Sequence, residues 1–233
     1  MSVKTYIADR DGKVLMPKHR YETTGTKYIS MSNNVVEIDF AKNLPYDALK
    51  LESIEFGTNV KKVADDCFNG CTRLKTASLN DGLVDVGDRA FYNCQQLTSL
   101  NIPSTVSSIG ISAFSKCQNI SSDISLQNNV ILSDYAFANS GARHIDVSID
   151  RNSGQFLFAN NTVKEVDVSN VLLENMFNKC VQLSSASLKN IDAIPASAFI
   201  DCRKLQKVDF PTQLTCIYNS AFQGCSELTG FNL

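Results

Sequence analysis

The chain has no tryptophan and only two histidines in 233 residues, and each shortage excludes something. His19 and His144 stand far apart, so no paired-His zinc motif can form within one local segment. No run of residues approaches the 18 consecutive apolar positions of a transmembrane helix. The first ten residues contain no apolar stretch of signal-peptide length. An excess of charge of one sign is also missing. Lys+Arg number 22 against Asp+Glu 24, a net charge of −2, which excludes the strongly basic profile of a nucleic-acid binder. No G-x-S-x-G elbow, P-loop, H-E-x-x-H or dinucleotide fingerprint occurs, and carboxylate pairs such as Asp65–Asp66 have no distinctive spacing. The sequence therefore predicts no enzyme, no cofactor, no metal site, no nucleic-acid partner and no membrane insertion.

What the chain does hold is 13 Phe and 8 Cys, and their placement is periodic. Phe68, Phe91, Phe114, Phe137, Phe158, Phe177, Phe199 and Phe222 follow one another at intervals of 23, 23, 23, 21, 19, 22 and 23 residues. Three residues after the Phe stands Cys71, Cys94, Cys117, Cys180, Cys202 or Cys225, with Ser140 and Asn161 in the other two copies. Apolar residues at relative positions 0, 3 and 5 follow, as in Leu97/Leu100/Ile102 and Val163/Val166/Val168, and then a second pair such as Val106/Ile109. A unit this small cannot bury its own apolar side chains, so neighbours must stack into a continuous core. The Ile-x-Ile alternation is strand-like, and stacked equivalent strands make a parallel sheet backed by a spine of Phe rings.

Residues 97–119, LTSLNIPSTVSSIGISAFSKCQN, resemble the repeat of the BspA-type leucine-rich repeat family. The resemblance covers about residues 35–233. It implies a leucine-rich repeat solenoid, a right-handed superhelix with a parallel β-sheet on its concave face and little helix. Departures fall at residues 120–132, where the strand slips by one residue, and in the shortened units before Phe158 and Phe177. Residues 1–34 read as a cap, with a hairpin of residues 3–8 and 13–16 around Asp9–Gly12. Val35/Ile38/Phe40 then read as the first strand. At the other end Leu228/Phe231/Leu233 begin a further strand signature. The last coil is then open, covered by a partner, or continued in a longer chain, and an open coil would permit self-association.

Eight cysteines invite a disulfide or zinc reading. Six of them occupy one equivalent position, where parallel side chains do not meet in bridging geometry. They read as a ladder of reduced, buried thiols. Cys67 replaces the Ala before Phe68, and Cys216 falls beside Ile217 on the back of the coil. Gly57, Gly82, Gly87 and Gly110 read as corner residues, and Asn119 and Asn160 each begin a short N-glycosylation acceptor pattern.

Function should lie on strand positions that the core does not dictate. Across the two outward columns, eight acidic residues stand against Lys207 and His144. The candidate partner-binding residues are Glu37, Asp39, Glu55, Asp123, His144, Asp146, Glu165, Asp167 and Asp209. A sheet face in water must be polar, which accounts for its Ser and Thr, but the excess of one sign suggests a basic protein partner. The turn-side tyrosines Tyr92, Tyr135 and Tyr218 leave the convex side open as an alternative surface. The reading is a non-enzymatic protein-interaction module. The family resemblance implies surface-displayed or secreted adhesion to host or matrix components. An intracellular or virus-associated scaffold is the alternative, since no signal peptide is visible, and a glycan-binding module is a distant third.

Overall fold

A 23-residue coil closes its core only when another coil lies on it, and the stacking must satisfy backbone as well as side chains. The computed structural model describes residues 51–229 and, ahead of them, the strand segments Val3–Tyr6, Tyr28–Met31 and Glu37–Ile38. It is a parallel β-solenoid, with no helix among the described residues. Two ladders of short strands run along it.

The first ladder pairs Val3–Tyr6, Tyr28–Met31, Ser53–Glu55 and Thr76–Ser78 in parallel, and a single bridge carries it on to Ser99. It resumes at Ile124–Leu132 and continues through His144–Ile149, Glu165–Ser169, Ser185–Lys189 and Lys207–Asp209. The second ladder stacks Glu37–Ile38, Lys62–Val63, Asp85–Val86 and Ser108–Ile109 against the end of Ile124–Leu132. Farther on, Ala193–Ile194 pairs with Cys216–Ile217. Strict alternation of side chains buries every second residue, as in His144–Ile149, where Ile145, Val147 and Ile149 face the core.

Residues 120–132 explain why two ladders share one strand. The slip puts Ile124 and Leu126 opposite Ile145 and Val147. The chain then runs directly into the second ladder instead of turning a corner as residues 103–106 do, where Val106 N–H donates to Pro103 O at 3.0 Å. The shortened unit between Phe158 and Phe177 contributes no second-ladder strand among the described residues.

The Phe spine forms as the spacing requires. From Phe68 to Phe222 successive rings lie 5.1–5.6 Å apart and within 20° of parallel. Each ring's backbone is tied to the coil above it. Phe68 N–H donates to Ala90 O at 2.7 Å, Phe91 N–H to Ala113 O at 2.8 Å and Phe114 N–H to Ala136 O at 2.8 Å. The Cys thiols return the link, Cys94 Sγ donating to Phe68 O at 3.3 Å and Cys117 Sγ to Phe91 O at 3.1 Å. Cys180, Cys202 and Cys225 repeat the contact at 3.1 Å. Where the thiol is missing, Ser140 Oγ donates to Phe137 O at 2.7 Å, and Asn161 Nδ2 donates to Ser140 Oγ at 2.9 Å. All eight cysteines are free, and only Cys216 is exposed. Burial pushes the Cys71 and Cys225 thiols up to about 12. Cys94 and Cys202 are also raised, chiefly by the hydrogen bond each shares with the neighbouring thiol and then by burial.

Each spine Phe is bracketed by two residues in the left-handed region. Asp66, Arg89, Ser112, Tyr135, Phe156, Asn175, Ser197 and Ser220 precede it by two positions, and Gly70, Asn93, Lys116, Asn139, Asn160, Lys179, Asp201 and Gly224 follow it by two. Only Asp, Asn and Gly visit that region cheaply, so the inter-coil ladder imposes it on the others. A further constraint sits just before. A Cβ on Gly110 would lie 2.6 Å from Asp88 N and 2.5 Å from Asp88 Oδ1. That space is needed because Asp88 Oδ1 accepts the Ile111 N–H at 2.7 Å.

Several readings change at the N-terminal end. Glu37 does not join the column of Ser53, because Glu37–Ile38 pairs with Lys62–Val63 in the second ladder. Val35/Ile38 shares its i, i+3 spacing with the second-ladder pairs Val60/Val63 and Leu83/Val86, which the first-strand reading mistook. Tyr28–Met31 supplies the neighbour of Ser53–Glu55 instead. Val3–Tyr6, read as part of one arm of a hairpin, pairs in parallel with Tyr28–Met31 in the first ladder, while the turn at Asp9–Gly12, the arm at residues 13–16, Asp39, and the signature ending at Phe231 and Leu233 lie outside the described residues.

Phe114→Ala, in the middle of the spine, should lower unfolding free energy by about 3–5 kcal/mol in urea titration. Phe156→Asn should change it by less than about 1 kcal/mol, because relief at a left-handed site offsets a lost surface stack. Alkylation of folded protein at pH 8 should modify Cys216 fast and the ladder thiols only after unfolding, as counted by mass spectrometry. A raised folded-state value means that the Cys71 and Cys225 contribution is intact below the ordinary thiol range near 9 and is lost as pH climbs toward about 12. Melting temperature should fall across that window.

Candidate functional site

The strand register builds the outward face. On one column Ser53 stands opposite Thr76, and Thr76 opposite Ser99. Beyond residues 120–132 the same column runs His144, Glu165, Ser185 and Lys207. The other column carries Glu55 and Ser78, then Ser125, Asp146, Asp167, Ser187 and Asp209. Asp123, His144, Asp146, Glu165 and Asp167 therefore come together on three successive coils. Glu55 and Asp209 lie on the same face but are separated from this block by intervening coils.

The block is partly neutralised. Arg143 grips Asp123 through two hydrogen bonds, Nε to Oδ1 at 3.0 Å and Nη2 to Oδ2 at 3.1 Å. That grip holds the Asp123 carboxyl below the usual carboxylate range. His144 Nε2 lies 3.0 Å from Asp167 Oδ2, across one strand pair and two residues along. Lys207 pairs with Asp209 at 3.0 Å. Among the described residues, Glu55, Asp146 and Glu165 have no cation within ion-pair distance. Lys164 precedes the strand Glu165–Ser169 and Lys189 ends Ser185–Lys189, so these two cations flank the carboxylates of the block.

Sequence reasoning missed Arg143. Its signal was the spacing of 20 residues to Asp123, one shortened coil, which puts the two side chains on adjacent strands. It also left Phe156 without a role. Phe156 stacks on Tyr135 with centroids 5.1 Å apart and planes 7° from parallel, on the turn side of the solenoid. The equivalent position three coils earlier pairs Arg89 with Asp66, Nε to Oδ1 and Nη2 to Oδ2 both at 2.7 Å. Nearby, Lys116 Nζ sits 5.0 Å over the Tyr92 ring.

Among the described residues His144 is bonded to Asp167 and to no Ser, Thr or Cys. Among the described residues no group of three His, Cys, Asp or Glu is arranged to hold a metal. No helix among them is long and apolar enough to cross a membrane.

A family model described as BspA type leucine rich repeat region matches residues 39–164 and 132–229, in six copies. The chain belongs to the BspA-type leucine-rich repeat family. The match spans the spine, the thiol ladder and the exposed face together. Among solved structures, the BspA-type chain is similar to a leucine-rich repeat protein from T. pallidum, at 18% identity and a TM-score of 0.50, covering 96% of this chain and 87% of that one. It is also similar to the pneumococcal vaccine antigen PcpA, at 21% identity and a TM-score of 0.54, covering 91% of this chain and 66% of that one. These likenesses show the solenoid fold. No curated protein matches the sequence. Repeat solenoids of this family are built for protein interaction, because stacked coils present one rigid, extended surface.

Replacing Arg143 with Ala should return the Asp123 carboxyl to its ordinary range, read by carbon NMR of the side chain through an acid titration. A depressed folded-state value contributes stability above the unfolded value near 4 that disappears as pH falls through the folded one. The variant should therefore lose the acid-side dependence that this carboxyl adds in the wild type.

Proposed function

We propose that this chain is a non-enzymatic adhesion module, displayed at the cell surface or secreted, that recognises a basic protein surface through the outward face of its first strand ladder. The observation that carries the reading is the block of Asp146 and Glu165, unpaired by any described cation, beside Asp123 and Asp167 on three registered strands. Strand pairing fixes the spacing of these carboxylates, so little side-chain or backbone ordering remains to be done on binding. Complementary charge speeds encounter and selects partner register. Membership of the BspA-type family and likeness to a vaccine antigen support a surface or secreted setting.

The test is a pulldown from extracellular-matrix and cytosolic fractions with wild type and with a variant carrying Asp146→Asn, Glu165→Gln and Asp167→Asn. A matrix or surface protein should be retained by wild type at low salt, with capture reduced about tenfold or more by the triple variant and by 0.5 M salt. Equal capture by both proteins, or capture confined to cytosolic components, would overturn the reading.

A further inference from the structure

The first ladder is broken at one interior place. Its pairing stops at the bridge between Thr76 and Ser99 and resumes with Ile124 against Ile145. The two coils on either side of the break are held together at both ends. Ser121 N–H donates to Thr98 O at 3.0 Å, and Ile131 N–H donates to Ser107 O at 2.9 Å. Between these clamps they separate, because residues 103–106 turn a corner that Ile124–Leu132 cuts across. Ser122 is the last contact, its Oγ accepting the Leu100 N–H at 3.1 Å. No ladder pairing among the described residues joins residues 101–103 to residues 123–127.

A notch of about 240 Å³ results. Its floor is apolar, formed by Leu100, Ile102, Ile124 and Leu126, and apart from Ile102 these are at most 3% exposed. Its rim is polar, with Asn101, Asp123 and Ser125. The volume lies below the roughly 300–1,000 Å³ of a small-molecule site and suits one large side chain. The wall at Ile124–Leu126 is a strand edge whose other side is already paired. Such an edge selects an extended backbone, and the pocket then takes every second side chain of that backbone. Asp123 on the rim continues into Asp146 and Glu165.

We propose that the notch is the anchor point of the partner site: it receives one apolar side chain from an extended, basic segment of a protein, whose backbone lies along the Ile124–Leu126 edge. This rests on the acidic-face reading above and adds to it a location and a side-chain preference. The lysines of the segment meet the carboxylates on the next two strands, while the central apolar residue enters the gap. Buried anchors of this kind carry most of the energy of an interface, and surrounding charges steer it.

The probes are two fluorescein-labelled decapeptides with alternating Thr and Lys, one with a central Leu and the other with Ser in its place. Fluorescence anisotropy should show the Leu peptide binding about tenfold more tightly. Amide shifts in NMR spectra should be largest at residues 101–102 and 123–127. Asn101→Trp and Ser125→Trp, two exposed positions that line the notch, should each remove the Leu preference and leave the salt-sensitive binding of the Ser peptide. Thermal melting establishes that each variant folds. Equal affinity of the two peptides for wild type, or a Leu preference that survives both Trp variants, overturns the notch while leaving the acidic face standing. Failure of both peptides to bind at low salt overturns both.

Discussion

Everything in this molecule depends on how one phenylalanine meets the next. A coil contributes a single ring to the spine, and the two faces of an interior ring lie against the rings above and below it. The same residue donates its N–H to the coil above and accepts a thiol hydrogen from it. Side-chain stacking and backbone satisfaction are thus solved at one position, repeated along the chain. The thiol suits this place because it is small, apolar enough to be buried and still able to donate weakly. Ser140 and Asn161 show the alternative, in which a stronger polar group must find a second partner to be buried without cost.

The spine and the ladder were legible in the sequence because side-chain identity repeats at those positions. The outward columns were legible for the same reason, since alternation within a strand follows directly from its apolar neighbours. Other features left no such trace. The left-handed positions are occupied by Arg, Ser, Tyr, Phe, Asn and Lys as well as Asp and Gly, because inter-coil hydrogen bonds dictate their backbone whatever the side chain. Glu37 was misassigned because both ladders use the same i, i+3 apolar pair. The pairing of Arg143 with Asp123 depends on the length of one shortened coil, and the notch depends on the path of the backbone around a corner. Neither is encoded in the type of any single residue.

The face and the notch have a common origin in the strand Ile124–Leu132. By running straight from one ladder into the other it fuses them on one side and parts from the preceding coil on the other. The carboxylates of the next two strands then stand beside a gap with an apolar floor. A surface otherwise uniform along the solenoid acquires one distinguishable place, which is what a partner needs in order to bind in a single register.

The shortened coil between Phe158 and Phe177 carries a different lesson. It keeps its spine ring, a polar side chain (Asn161) at the thiol position and its first-ladder strand, and gives up only the second-ladder segment. The second side of the coil is therefore a spacer, and the first side is the frame. Length can be removed there without disturbing the stack, and by the same logic length can be added. An inserted loop, an epitope or a second binding element has one natural address on this scaffold, the arc between the outward strand and the next Ala-Phe turn.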